Sequence, residues 1–169
     1  MNLNQIPANE VVLIDANIFI YAIQQLSQQC KRLLLRCADE ELIGVLPIPV
    51  LAEVMHQLML AEARDNGWIH AANPAKQLSR QPEIVQKLSR YEDCIRDLLA
   101  LGLRLEPLGA EDFTTAMNLQ RRFGLLTNDS LLVAMMQRLR ITSLASADQI
   151  FSRVQGIMVY GPDDIRMEL

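Results

Sequence analysis

The feature that most constrains this chain is a four-residue run, Val11-Val12-Leu13-Ile14, wholly apolar, mostly β-branched, and cut off at Asp15. An apolar run without alternation reads as a strand covered on both faces, the environment of a parallel sheet lying under helices. Further short strand candidates follow at Leu42–Leu46, Leu103–Leu105, Ile141–Leu144 and Ile157–Tyr160. Pro47 and Pro49 end the second of these, and Gly161-Pro162 closes the last. Helical segments fall between them, at Ile18–Leu26, Gln28–Ala38, Val50–Arg64, Glu83–Leu101, Ala110–Phe123 and Asp129–Leu139. Val50, Val54, Leu58 and Ala61 form one apolar stripe, and Gly124 is well placed to stop its helix. Strands alternating with helices predict an α/β fold built on a parallel sheet covered on both faces.

Length and organisation fit a single domain spanning residues 1–169. Residues 65–82 are less regular, with Gly67, Asn73-Pro74 and Gln81-Pro82 as boundary signals. Together with the helix that follows, they read as a helical insertion at about 65–95 within that domain. Half the residues are hydrophobic, and the formal charge is −4. That balance excludes disorder for the bulk of the chain and a polycation coating nucleic acid, while leaving room for a local basic groove. The three cysteines, Cys30, Cys37 and Cys94, contain no CxxC pair and read as reduced structural thiols. No apolar run approaches the length of a membrane span, and the first residues lack the basic-then-apolar order of a secretory leader, so the expected compartment is the cytoplasm.

Four acidic residues carry the chemistry. Asp15 follows the first strand, where sites of open α/β sheets lie, although Asp is also a favoured helix N-cap. Asn17, two residues on, could cap as well. Glu53 sits beside the apolar stripe of its helix, either solvated or turned into a polar site. Asp129 falls in a helix's first turn, where a carboxylate suits the dipole, and Thr127 or Asn128 could supply the cap there. Asp148 follows the Ile141–Leu144 strand and could cap a short helix at Gln149–Phe151. In a parallel sheet these four places converge on one edge. A carboxylate pair at about 4 Å repels by about 4 kcal/mol at an effective dielectric near 20, which a divalent cation relieves. All-oxygen ligands select hard ions such as Mg²⁺ or Mn²⁺, and acidic metal sites of this kind displace groups at phosphate.

The segment Val11-Val12-Leu13-Ile14-Asp15-Ala16-Asn17-Ile18-Phe19-Ile20 resembles the opening strand and helix of the PIN-domain ribonucleases. Pro47-Ile48-Pro49-Val50-Leu51-Ala52-Glu53-Val54 is similar to their second motif, and Leu126-Thr127-Asn128-Asp129-Ser130-Leu131-Leu132-Val133-Ala134 to their third. Leu144-Ala145-Ser146-Ala147-Asp148-Gln149-Ile150-Phe151 and Gly156–Pro162 resemble the closing motif and last strand. The resemblance implies a three-layer sandwich with a central parallel five-stranded sheet, and a Mg²⁺-dependent (or Mn²⁺-dependent) endoribonuclease. Asp15, Glu53, Asp129 and Asp148 would be its metal ligands, and Asn17 would orient water or phosphate. Small proteins of this kind are mostly VapC-type toxins of toxin–antitoxin pairs. The implied partners are therefore an RNA substrate, a small antitoxin protein and a second copy in a homodimer. This chain exceeds the shortest such toxins by its 65–95 stretch. The alternative is a PIN-fold RNA-binding or scaffold module with little or no catalysis. A structure-specific DNA nuclease would need more basic surface.

Other features have blander readings. Glu53-Val54-Met55-His56 has the Glu-x-x-His spacing of di-iron bundles, but no second copy exists. Glycine-rich phosphate loops and nucleophile elbows are absent. Arg121-Arg122 suit a helix C-terminus, with phosphate binding as the minority reading. Lys31, Arg32 and Arg36 share a helix and read as a solvated face that could also meet RNA backbone. Trp68 and Tyr91 are placed to pack the insertion down, while Arg64, Arg80, Lys87 and Arg90 surround it only diffusely with positive charge.

Overall fold

The computed structural model describes residues 1–165. Five strands, β1 (Val11–Ile14), β2 (Ile43–Pro47), β3 (Arg104–Glu106), β4 (Ser143–Ala145) and β5 (Met158–Tyr160), form one sheet in the order β3-β2-β1-β4-β5. Every pairing is parallel. Val12, Leu13 and Ile14 of the central strand are fully buried, as an unalternating apolar run requires. The helices are α1 (Ala16–Ile23), α2 (Gln28–Ala38), α3 (Ile48–Asp65), α4 (Pro74–Leu78), α5 (Pro82–Val85), α6 (Arg90–Ala100), α7 (Ala110–Phe123) and α8 (Thr127–Leu139). They flank the sheet, giving the three-layer α/β sandwich expected from the sequence. At Gly44, an added Cβ would lie 2.8 Å from Cys37 Sγ, so the missing side chain is what lets α2 close on β2. Burial pushes the Cys30 and Cys37 thiols up to about 11, which keeps them protonated and inert.

Several boundaries differ from the sequence reading, each for a local reason. α1 starts at Ala16 rather than Ile18, because Asp15 is its N-cap and accepts from Ala16 N at 2.7 Å. β2 includes Pro47, while Pro49 lies inside the first turn of α3, where a missing N–H breaks no helical bond. α8 begins at Thr127, and neither Thr127 nor Asn128 caps it; its N-cap is Leu126, with no side-chain bond. The expected strands at 103–105 and 141–144 are each displaced toward their C-terminal ends, to Arg104–Glu106 and Ser143–Ala145.

The largest difference is in Glu83–Leu101, which is two helices, α5 and α6, rather than one. The cause is Glu62 on α3, buried to 4% exposure, whose carboxylate accepts from Ser89 N at 2.9 Å, Arg90 N at 3.1 Å and Tyr91 N at 2.9 Å. These are the free amides of a helix start, so a side chain from another helix caps α6 and fixes where it begins. Between α3 and α6, a small cluster of Leu60, Ala63, Ile69, Leu78 and Leu88 is buried, with Trp68 and Tyr91 packed against it. Among the described residues no helix is long and apolar enough to cross a membrane.

Candidate functional site

β1 and β4 are adjacent and parallel, so the residues just beyond them share one edge of the sheet. The second and third turns of α3 and the first turn of α8 come to the same edge. There they enclose a cavity of about 630 Å³ lined by Asp15, Asn17, Glu53, Gln57, Thr127, Asn128, Asp129 and Asp148, with Ala16, Ile20, Leu126 and Leu132 as the apolar part of the wall. All five residues singled out in the sequence therefore lie around one space. Among the described residues, no lysine, arginine or histidine lines it.

Asp15 is the most buried of the four acids, at 9% exposure. Its Oδ1 accepts from Ala16 N at 2.7 Å, and its Oδ2 accepts from Asn17 Nδ2 at 2.6 Å and Ser146 Oγ at 2.7 Å. Burial raises its pKa, and these three donors offset part of that rise. The cap and site readings of Asp15 are thus compatible: one oxygen caps α1 while the other belongs to a polar network.

Asn17 does not cap. Its Nδ2 is spent on Asp15 and, at 3.3 Å, on Ser146 Oγ, and its Oδ1 accepts from Ala147 N at 3.0 Å. Glu53 accepts from Asn128 Nδ2 at 3.3 Å. Burial first, then the charge of Asp15, raises the Glu53 pKa. Asp129, in the first turn of α8, is raised by burial and by the charges of Asp148 and Asp15. Asp148 caps the short 3₁₀ turn Gln149–Arg153 through Ile150 N at 2.8 Å.

Burial does most to raise Asp15, Glu53 and Asp129, and the charge of a neighbouring carboxylate adds to each rise. The donor set is all oxygen, which suits a hard divalent ion. The carboxylates line the wall rather than close a cage: among the described residues no three acidic, imidazole or thiol groups meet at one ion's distance.

Ser146 was missed by the sequence reading. It is fully buried, donates to Asp15 and accepts from Asp148 N at 3.0 Å, so it joins the ends of β1 and β4. The available signal was a serine closing an apolar strand two residues before an aspartate. Gln57, in the third turn of α3, was likewise not assigned, and Thr127 and Asn128, read as cap candidates, line the cavity instead of capping.

The other candidates stay outside. His56 is exposed and does not line the cavity. Arg36 pairs with Glu41 at 2.7 Å and donates to Ile6 O, so it braces α2. Arg121 and Arg122 occupy the last turn of α7, Arg122 lying 4.9 Å from the Phe123 ring.

The family model described as the PIN domain matches residues 12–157 of the chain. Among solved structures, VapBC2 from Rickettsia felis, bound to a DNA fragment from its promoter, superposes with a TM-score of 0.57 at 16% identity, covering 90% of this chain and 99% of that one. A toxin–antitoxin complex from Klebsiella pneumoniae gives a TM-score of 0.57 at 16% identity, over 87% and 95% of the two chains. VapC20 from Mycobacterium tuberculosis, a toxin that cleaves the sarcin-ricin loop, gives 0.54 at 16% identity over 83% and 92%. No curated protein sequence matches the chain.

Proposed function

Because the chain belongs to the PIN domain family, we propose that it is a Mg²⁺- or Mn²⁺-dependent endoribonuclease, the toxin of a toxin–antitoxin pair, acting in the cytoplasm. The observation that carries this reading is the cavity at the end of β1 and β4, walled by four carboxylates and, among the described residues, by no cationic side chain. We treat residues 1–169 as one PIN-like domain with the 65–95 stretch as an insertion. The partners proposed are an RNA substrate, a small antitoxin protein and a second copy of the chain in a homodimer.

Asp15, Glu53, Asp129 and Asp148 would hold the metal. When bound, a hard divalent cation supplies a Lewis acid for phosphate and eases deprotonation of the attacking water. The protein's own contribution is preorganisation. Three donors fix the Asp15 carboxylate before any ligand arrives. Asn17 and Ser146 are positioning residues that act through Asp15, tying it to the loop after β4. Glu53, Asp129 and Asp148 supply negative charge that only a cation can offset, which selects for metal over a bare polyanion.

The test compares wild type with Asp15→Asn on total RNA, with Mg²⁺ and with chelator. Cleavage by wild type in Mg²⁺ alone is expected, with none by the variant. Growth arrest on expression should be relieved by Asp15→Asn at equal protein level. Equal cleavage by both proteins would overturn the site. No cleavage by either protein across many RNAs would favour the binding or scaffold alternative.

A further inference from the structure

We propose that the arm formed by residues 64–90 is a cationic platform that grips RNA backbone a few nucleotides from the bond to be cut; this rests on the ribonuclease reading above. The arm holds Arg64, Lys76, Arg80, Lys87 and Arg90 against Asp65 and Glu83, a net charge of +3. With the whole chain at −4, everything outside the arm carries −7. Arg90 is paired with Asp65. Arg64, Lys76, Arg80 and Lys87 are exposed and meet no carboxylate among the described residues. A surface hollow of about 560 Å³ on the arm is lined by Ala71, Asn73, Lys76, Gln77, Arg80 and Gln81, cations and amides without an acid.

The arm's position follows from α3. Leu60 lies seven residues beyond Glu53, about two turns, and so on the same face of the helix about 10 Å along its axis. Leu60 is buried in the arm's own cluster with Ile69, Leu78 and Leu88. The arm therefore stands on the face of α3 that carries Glu53 into the cavity. At about 0.1 M salt the Debye length is about 10 Å, so these charges act on a strand that runs along this face of α3 past the arm on its way to an otherwise acidic site.

RNA fits the arm better than an acidic protein does. Protein interfaces are anchored by large apolar side chains at their centre. Among the described residues, no large apolar side chain between 64 and 90 is exposed, so the surface offers mainly charge and amides. That is what backbone recognition uses. The buried cluster and the Glu62 clamp hold the platform in place, so little ordering is needed on binding.

The experiment measures fluorescence anisotropy of a short labelled oligouridylate with the full chain in chelator, across a salt series. The test protein carries Lys76→Gln, Arg80→Gln and Lys87→Gln, all at exposed positions. A control carries Lys31→Gln and Arg32→Gln on α2. Each lost phosphate contact removes about 0.7 from the log–log salt slope of single-strand binding, so three contacts lower it by about 2 and weaken binding roughly a hundredfold at 0.1 M salt. The control should keep the wild-type slope. An arm variant with wild-type slope and affinity overturns the proposal, and directs the arm to an acidic protein partner instead. Cleavage by wild type in Mg²⁺ is assayed in parallel. A wild type that cuts RNA, with an indifferent arm variant, sinks only the arm. A wild type that neither binds nor cuts sinks the ribonuclease reading with it.

Discussion

Ser146→Ala removes one oxygen from the centre of the site and is the most informative single perturbation of its architecture. The hydroxyl is fully buried and donates at 2.7 Å to a carboxylate that is itself only 9% exposed. Loss of a hydrogen bond to a buried ionised group costs about 1.5–3 kcal/mol. The second group left without its partner, Asp148 N–H, belongs to an exposed residue and can turn to water, so it adds little. A net loss near 2 kcal/mol corresponds to a Tm lower by about 4–8 °C for a chain of this size. The pH dependence separates this cause from simple packing. The folded pKa of Asp15 is raised above its unfolded value by burial, and the Ser146 bond is the largest of the effects that restrain the rise. Ionisation of Asp15 therefore costs stability as pH climbs through the folded pKa, and it costs the variant more. Below that range Asp15 is protonated in both states, and the missing donor matters less. Metal-free melting curves should show a wide gap between wild type and variant near neutral pH, narrowing toward about pH 4. A gap of equal size at both ends would refute the argument and reduce Ser146 to a filler of space.

Three further outcomes follow from the same structure. Asp129→Asn removes one of the mutually raised carboxylates, so its metal-free Tm should equal or exceed that of wild type, while the wild-type gain in saturating Mn²⁺, about 2.7 kcal/mol at a hundred times Kd, should shrink; a wild-type melting curve indifferent to Mn²⁺ would count against metal binding. Arg138 on α8 contacts the buried carboxylates of Glu106 and Asp112, both at 2.9 Å; Arg138→Leu leaves Asp112 without a cation and Glu106 with only the exposed Arg104 at 3.1 Å, and should cost about 3–5 kcal/mol in denaturant titrations. Burial alone would raise the Glu62 pKa, but its three backbone donors hold it below the usual range, so the stability it contributes is present above an unfolded pKa of about 4.3 and is lost as pH falls through the folded value. Glu62→Ala should strip hydrogen-exchange protection from the Ser89–Tyr91 amides and loosen the arm before the sheet, and unchanged protection there would contradict the clamp.

Much of the fold could be read from local pattern because the pattern and the environment coincide. Val11–Ile14 is apolar at every position and lies at the centre of the sheet. α2 and α7 run as expected, because a side-chain cap at Ser27 and a left-handed Gly124 (φ +68) mark an end of each. The errors fall where distant groups decide. The break between α5 and α6 is set by Glu62, 27 residues before Ser89, and no propensity within 83–101 announces it. The convergence of Asp15, Glu53, Asp129 and Asp148 was legible from their places after strands and in the N-terminal halves of helices. Ser146 was not, since its importance lies in what the fold sets opposite it. The arm's charge was only half visible: Arg64, Arg80, Lys87 and Arg90 stood out as diffuse, and Lys76 joins Arg80 only once α4 and the turn after it bring them to one hollow.

The strand order has a consequence in time as well as space. The central strand, β1, is made first and meets β2 within some thirty residues of chain, but its other edge waits for β4, and Asp15 waits 131 residues for Ser146. Contacts of such sequence separation close late, because their loop entropy must be met before they return anything. A chain emerging from the ribosome thus carries Asp15 and Glu53 long before Asp129 and Asp148 exist to complete the wall. Whatever chemistry the cavity performs waits on the segment that carries Ser146 and Asp148.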